Sequence, residues 1–209
     1  LEFASSCGAQ RLLYASSGAI YGKQPQDVEL LSEDHCSAQD PGLQRSVYGQ
    51  AKWQAEKLCQ DVAGGLNVTI ARGFAFVGPY LPLDEHYAIG NFVLDGLKGS
   101  PIQVRSDGTP LRSYLYAADL AAWLWALLLR GQGAYNVGSS QVVSIADVAR
   151  EVGRQCGVEV HIAQAPAADL PDRYVPATAK AEKELGLTAW VPVNEAIART
   201  IAWHRNKGI

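Results

Sequence analysis

Tyr48 and Lys52 stand four residues apart in the run Tyr48-Gly49-Gln50-Ala51-Lys52. On a helix that spacing puts a phenol and an ammonium on one face, one turn apart. A free phenol titrates at about 10, so it handles protons near neutral pH only if something favours its anion. Bringing it to about 7 takes roughly 4 kcal/mol. A cation about 4 Å away, at an effective dielectric of about 20, supplies roughly that much. Tyr and Lys on a helix are otherwise ordinary surface residues, and a single pair arises easily by chance. The pair therefore gains meaning only from the elements around it.

Those elements read as a strand, a helix and a strand. Residues 11–16 (RLLYAS) are a short apolar run that suits a buried strand. Residues 48–63 lack Pro and carry Ala51, Ala55, Leu58 and Val62 at helical spacing, and Gly64-Gly65 stops the helix. Residues 66–71 (LNVTIA) form a β-branched strand. Short joints between the three predict a βαβ unit and a parallel sheet. Open sheets of that kind hold ligands at the carboxyl ends of their strands. Ser16 and Ser17 follow the first strand, and Arg72 to Pro79 (RGFAFVGP) close the second. A Ser17 hydroxyl there is placed to bond a substrate oxygen beside the tyrosine.

The rest of the chain alternates in the same way. Residues 23–45 are polar, with Pro25, Pro41 and Gly42, and predict a long surface loop. Residues 87–97 read as a helix, and 102–104 and 113–116 as short strands. Residues 117–129 are apolar almost all round, which predicts a helix covered on several sides with Trp123 and Trp125 in the core. A strand over 134–137 follows. Ser144 caps a helix reaching about Cys156, residues 158–162 form a strand, and Asn194 caps a last helix ending near His204. The fold class is α/β.

Composition narrows the function. The 209 residues carry Lys+Arg 18 against Asp+Glu 21, a net charge of -3, with 48% hydrophobic and 19% charged residues. That is a globular composition, and its slight acidity gives no field for phosphate backbones, so nucleic-acid binding is not expected. Cys7, Cys36, Cys59 and Cys156 form no C-x-x-C and read as reduced thiols in the cytoplasm. His35, His86, His161 and His204 are scattered, so no metal site is expected. The longest apolar run is broken by Asp119 and falls short of the roughly 20 residues a membrane span needs, and no basic leader precedes an apolar stretch. The opening LEFASSCG reads as the end of a helix with a Gly stop and lacks Met, which predicts a chain that starts inside a domain.

Taken together, SSGAIYG, YGQAK, RGFAFVGP and SDGTPLRSYLYAADLA resemble the NAD-dependent epimerase/dehydratase group, the extended short-chain dehydrogenases acting on nucleotide-diphosphate sugars. The resemblance covers nearly the whole chain. It implies residues 1–78 as the second half of a Rossmann-type NAD(P)-binding sheet, with the first half missing. Residues 79–209 would form mainly a smaller α/β part for the nucleotide sugar, with 113–137 returning to the Rossmann part. It further implies Tyr48 as catalytic acid/base, Lys52 tuning it and holding the nicotinamide ribose, and Ser17 as the catalytic Ser/Thr. Ser16 and Phe74 would contact the cofactor, NAD or NADP, while Arg112 would hold the substrate diphosphate, for which a planar cationic fork is suited, and Asn91 the nucleotide. A homodimer through the apolar stripe of the Tyr48 helix and a setting in cell-surface polysaccharide synthesis are implied as well.

Some family features are absent. No Gly-rich turn is present to seat a pyrophosphate on a helix N-terminus. Ala75 stands where relatives often carry Asn, and the stretch around Ala167 lacks the family's arginine. Dehydratases of this group, and the related decarboxylases, carry an acid just after the catalytic Ser or Thr; in dehydration, elimination of water must protonate a leaving hydroxyl. Here those positions are Gly18 and Ala19. The reading favoured is therefore hydride transfer at sugar C4, as an epimerase. The alternatives are a 4-keto reductase, a 4,6-dehydratase, or an inactive fragment that only binds nucleotide sugar.

Overall fold

A computed structural model describes residues 1–35, 46–61, 66–85, 87–165 and 170–208. In chain order the elements are α1 (Glu2–Ser6), β1 (Arg11–Ser17), α2 (Val47–Gln60), β2 (Asn67–Gly73), β3 (Phe76–Val77), α3 (Ala88–Leu97), β4 (Ile102–Val104), β5 (Leu111–Arg112), β6 (Leu115–Tyr116) and α4 (Ala117–Arg130). There follow β7 (Gly133–Val137), β8 (Val143–Ser144), α5 (Ile145–Cys156), β9 (Val160–Ile162), β10 (Arg173–Tyr174), α6 (Ala179–Leu185) and α7 (Val193–Asn206).

The main sheet runs β1-β2-β7, all parallel. Leu12 pairs with Val68 and Ser17 with Gly73, while Gly73 also faces Val137. The carboxyl ends of β1, β2 and β7 are thus level, and Ser16 and Ser17 lie at that rim. Beneath the sheet, Ala71, Tyr135 and Val137 pack on Trp123 and Leu127 of α4 and on Ala181 and Leu187. A second core joins α3, α5 and α7 through Phe92, Val93, Val148, Val152, Ile197 and Ile201. Ser144 caps α5 by accepting from the Asp147 amide at 3.0 Å, and Gly157 ends it at φ +73°.

Several expectations need correcting. Only Asp119, Trp123 and Leu127 of α4 are buried, one stripe at i, i+4 and i+8, because the helix meets the sheet on one side alone. Trp125 is 65% exposed and is not a core residue. Helix α2 turns Gly49, Glu56 and Cys59 inward, while Ala51 and Leu58 of the expected stripe face outward. Its predicted end, from Val62 to Gly65, lies outside the described residues. Of the strand expected over 113–116 only Leu115–Tyr116 (β6) forms, pairing with β3, while Leu111–Arg112 (β5) is a separate strand that pairs with β10 and β8. Asn194 is not the cap of α7; Pro192, at φ −66°, occupies that position and starts the helix earlier. The polar stretch after Lys23 is partly interior. Leu31 is fully buried, and Gln24 accepts from the Val175 amide at 2.9 Å. Residues 36–45 of that stretch lie outside the described residues, as do His86 and Ala167.

Among the described residues no helix is long and apolar enough to cross a membrane, and no cluster of side chains could hold a metal ion. The described cysteines Cys7, Cys59 and Cys156 are free.

His204 is buried on α7, edge-on to Trp203, and neither ring nitrogen has a hydrogen-bond partner among the described residues. Burial pulls its pKa below the ordinary 6.5. The unfolded chain therefore takes up this proton first as pH falls. The stabilisation is complete above about 6.5 and is lost as pH drops through the folded value. Thermal unfolding between about pH 7.5 and 5 is expected to show a falling Tm that flattens in His204→Leu.

Candidate active site

Ser46 starts α2 by accepting from the Gly49 amide at 3.1 Å. Ser17 ends β1 and caps a 3-10 turn, Gly18–Tyr21, by accepting from the Ala19 amide at 3.2 Å. The two segments touch at Gly49. A Cβ there would lie 2.3 Å from the Ala19 carbonyl oxygen, so a glycine between Tyr48 and Lys52 is what lets the helix come this close. Gly49→Ala gains about 1 kcal/mol of helix propensity and meets an overpacking cost of about 1–3 kcal/mol. It is expected to lower Tm slightly and turnover much more, measured side by side, because the helix must back away from Ser17.

Ser16, Ser17, Tyr48, Phe74 and Arg112 line one cavity of about 860 Å³, together with Tyr87, Tyr114, Ile145 and Tyr174. Among the described residues no carboxylate or imidazole lines it. Tyr48 is 56% exposed at the mouth. The Lys52 ammonium donates to the Ala15 carbonyl at 2.8 Å and lies 5.3 Å from the Tyr14 ring centroid and 5.7 Å from that of Tyr48. It shares the helix face with Tyr48, as the spacing requires, but is tied to the backbone of β1 and does not line the cavity. The Ser16 hydroxyl is committed elsewhere, donating to Glu56. Asn91 is not at this cavity. It borders a neighbouring one of about 490 Å³ with Asp95, Gln103 and Arg105, and its amide donates to the Glu85 carbonyl at 3.1 Å.

Arg112 reaches the cavity from β5 with its guanidinium paired to Asp172 at 2.8 Å and to the Leu111 carbonyl at 2.8 Å. Tyr174, beside it in register on β10, stacks on Phe74 with centroids 4.6 Å apart. Its hydroxyl sits where a Gly18 Cβ would come within 2.5 Å. Burial pushes the Tyr174 phenol up to about 12, against the opposing pull of the neighbouring Ser17 hydroxyl. Burial likewise pushes Tyr114 up to about 12. Both remain neutral hydrogen-bond donors at physiological pH.

Sequence reasoning did not find Tyr174 or Tyr114, since each reaches the cavity through a long-range pairing. Nor did it find Glu56, although Glu56 continues the Tyr48, Lys52 face by one more turn. Glu56 is 2% exposed and binds Arg72, itself 6% exposed, at 2.8 Å. Burial alone would pull the Arg72 pKa down, and its hydrogen bonds to Glu56 outweigh that and raise it.

Ser17 and Tyr48 thus line one cavity at the level carboxyl ends of the sheet. The family model described as the NAD dependent epimerase/dehydratase family matches residues 1–138. The chain belongs to that family. UDP-glucuronic acid decarboxylase 1 of Xenopus tropicalis is 31% identical to this epimerase/dehydratase chain over 211 residues, covering 99% of the chain and 49% of that protein. The chain spans about half the length of the curated relatives it matches. The UDP-glucose 4-epimerase of Thermotoga maritima, solved with UDP-glucose, shares the fold at a TM-score of 0.84 and 19% identity, covering 100% of this chain and 67% of that one. The UDP-glucose 4-epimerase of Thermus thermophilus, solved with NAD, has a TM-score of 0.81 and 26% identity, covering 98% and 67%.

Proposed function

We propose that this chain carries the catalytic face and sugar pocket of an NAD-dependent enzyme that oxidises and re-reduces C4 of a nucleotide-diphosphate sugar. One observation carries the reading. Ser17 and Tyr48 face a cavity at the carboxyl end of a parallel sheet, with an arginine on its wall and no carboxylate or imidazole lining it among the described residues. An exposed phenol beside a lysine ammonium fits the nicotinamide-ribose end of NAD, which when bound supplies the hydride acceptor.

In this reading Tyr48 takes the proton from O4 as C4 is oxidised and returns it on reduction. Ser17 hydrogen-bonds O4 and keeps it within reach. Arg112 exchanges its Asp172 partner for the diphosphate, which its planar fork accepts in two parallel bonds. If the ketone turns over in the pocket before reduction, the product is the C4 epimer. The apolar walls formed by Phe76, Leu81, Pro82 and Ile89 suit such a movement, because they hold the sugar by few directional bonds. A homodimer is part of the same proposal, supported by the outward Val47 and Leu58 of α2.

A second reading is decarboxylation of a nucleotide-linked uronic acid, favoured by the similarity to the Xenopus decarboxylase. A C4 ketone makes the C6 carboxylate a β-keto acid. The C5–C6 bond then breaks, its electron pair passes to C5 as the enolate and carbon dioxide leaves; C5 is then protonated from water and the C4 ketone is reduced, returning the hydride taken at the start. Loss of water from C5–C6, by contrast, needs an acid on the leaving hydroxyl, and Gly18 and Ala19 supply none.

The test incubates purified protein carrying this chain with NAD and, separately, UDP-glucose, UDP-glucuronic acid and dTDP-glucose, and follows product mass and sugar stereochemistry. A product of unchanged mass and inverted C4 supports epimerisation, and loss of carbon dioxide supports the second reading. Rapid loss of water would overturn both.

A further inference from the structure

Helix α2 carries Tyr48 and Lys52, and among the described residues its apolar packing is limited to Trp53 against Ile20, Tyr21 and Leu31 and to the buried Cys59. Its other buried residues are Gly49 and Glu56, while Val47 and Leu58 point outward. Its bonds to the strands of the main sheet are polar. The Glu56 carboxylate accepts from the Ser16 hydroxyl on β1 and from Arg72 on β2, through Nε at 3.2 Å and a terminal nitrogen at 2.8 Å. The other terminal nitrogen of Arg72 donates to the Tyr21 hydroxyl at 2.9 Å and the Glu33 carbonyl at 3.0 Å. The Tyr21 hydroxyl passes on to Asn136 of β7 at 2.7 Å, and Asn136 donates to the Leu31 carbonyl at 2.7 Å.

We infer that Glu56 and Arg72 are positioning residues whose buried pair fixes the rotation and register of α2, and so the approach of Tyr48 to Ser17. A buried ion pair is a weak source of stability, since apolar side chains of similar volume often serve as well or better. Its distinctive property is direction. A carboxylate bound by donors from two strands has one good seat, and sliding the helix by a turn would strand a charge in the core. Glu56 lies two helical turns from Tyr48 on the same face, and its partner Ser16 adjoins Ser17 in the chain. The seat therefore ties the two hydroxyls of the site together from behind. The catalytic half of this inference rests on the C4 redox reading, and the structural half does not.

The double variant Glu56→Leu/Arg72→Met separates positioning from stability. It keeps the volume and removes both charges, so Tm is expected to stay within a few degrees of wild type. Hydrogen exchange of the α2 amides is expected to rise about tenfold or more, and turnover to fall at least about tenfold with KM changed by less than about threefold, since small misplacement of a proton carrier is costly. Wild-type turnover, or unchanged exchange in α2, overturns the inference. Should the double variant unfold, Glu56→Gln, which keeps the shape but leaves Arg72 without its counter-charge, is read by α2 exchange and by turnover against KM, its Tm being expected to fall. If wild-type protein acts on no nucleotide sugar, the C4 reading fails, while the exchange measurement still decides whether the pair positions the helix.

Discussion

Tyr48→Phe is expected to lower turnover by about 10²-fold or more, with a much smaller change in KM. The substitution removes one oxygen and leaves the ring at the mouth of the cavity. Tyr48 is 56% exposed, so the fold should barely notice; surface changes of this kind stay within about 0.5 kcal/mol. No other phenol in the cavity is suited to take over. Tyr114 and Tyr174 are both pushed up to about 12 by burial, so near neutral pH they donate hydrogen bonds and do not accept protons. Steady-state kinetics on the accepted nucleotide sugar, with Tm measured in parallel, checks this. A variant with wild-type turnover would remove Tyr48 from the chemistry.

Arg72→Met is expected to cost about 3–5 kcal/mol of stability. At roughly 2–4 °C per kcal/mol for a chain of this size, Tm should fall by roughly 6–20 °C. The substitution leaves the Glu56 carboxylate 2% exposed with its charged partner gone, and unpaired buried charge is among the costliest lesions a fold can carry. The Arg199–Glu195 pair on α7 supplies the contrast. It is shorter, at 2.5 Å against 2.8 Å, but both side chains are about half exposed. Arg199→Met should leave Tm nearly unchanged, because water already solvates both ions. Thermal unfolding of the two variants side by side tests whether burial, and not distance, sets the cost.

Much of this was legible without coordinates. The β-branched run around Ile70, the Pro-free stretch after Tyr48 and the Ser144 cap each announce their element through local physics. A strand, a helix and a strand in that order then read as a parallel crossover, with the long loop after Lys23 on its way, and Ser17 and Tyr48 meet at one cavity. Other features were misread because local pattern does not say which side of a helix is covered. Trp125 and Trp123 are equally apolar, but α4 has the sheet on one side only, and Trp125 faces outward. On α2 the alanine and leucine spacing suggested the buried face, whereas a glutamate holds it.

Residue types and spacing thus announced the α/β class and the parallel pairing, and put Tyr48 and Lys52 on one helix face, because each follows from contacts a few residues long or from one crossover. Packing between distant segments settled the remainder. It placed Tyr174 over Gly18, sent Asn91 to the adjoining cavity, gave Arg112 an Asp172 counter-ion and buried Glu56 on Arg72. Those outcomes depend on which surfaces meet after the chain has folded back on itself, and the free energy of such meetings is not written in any single stretch of it.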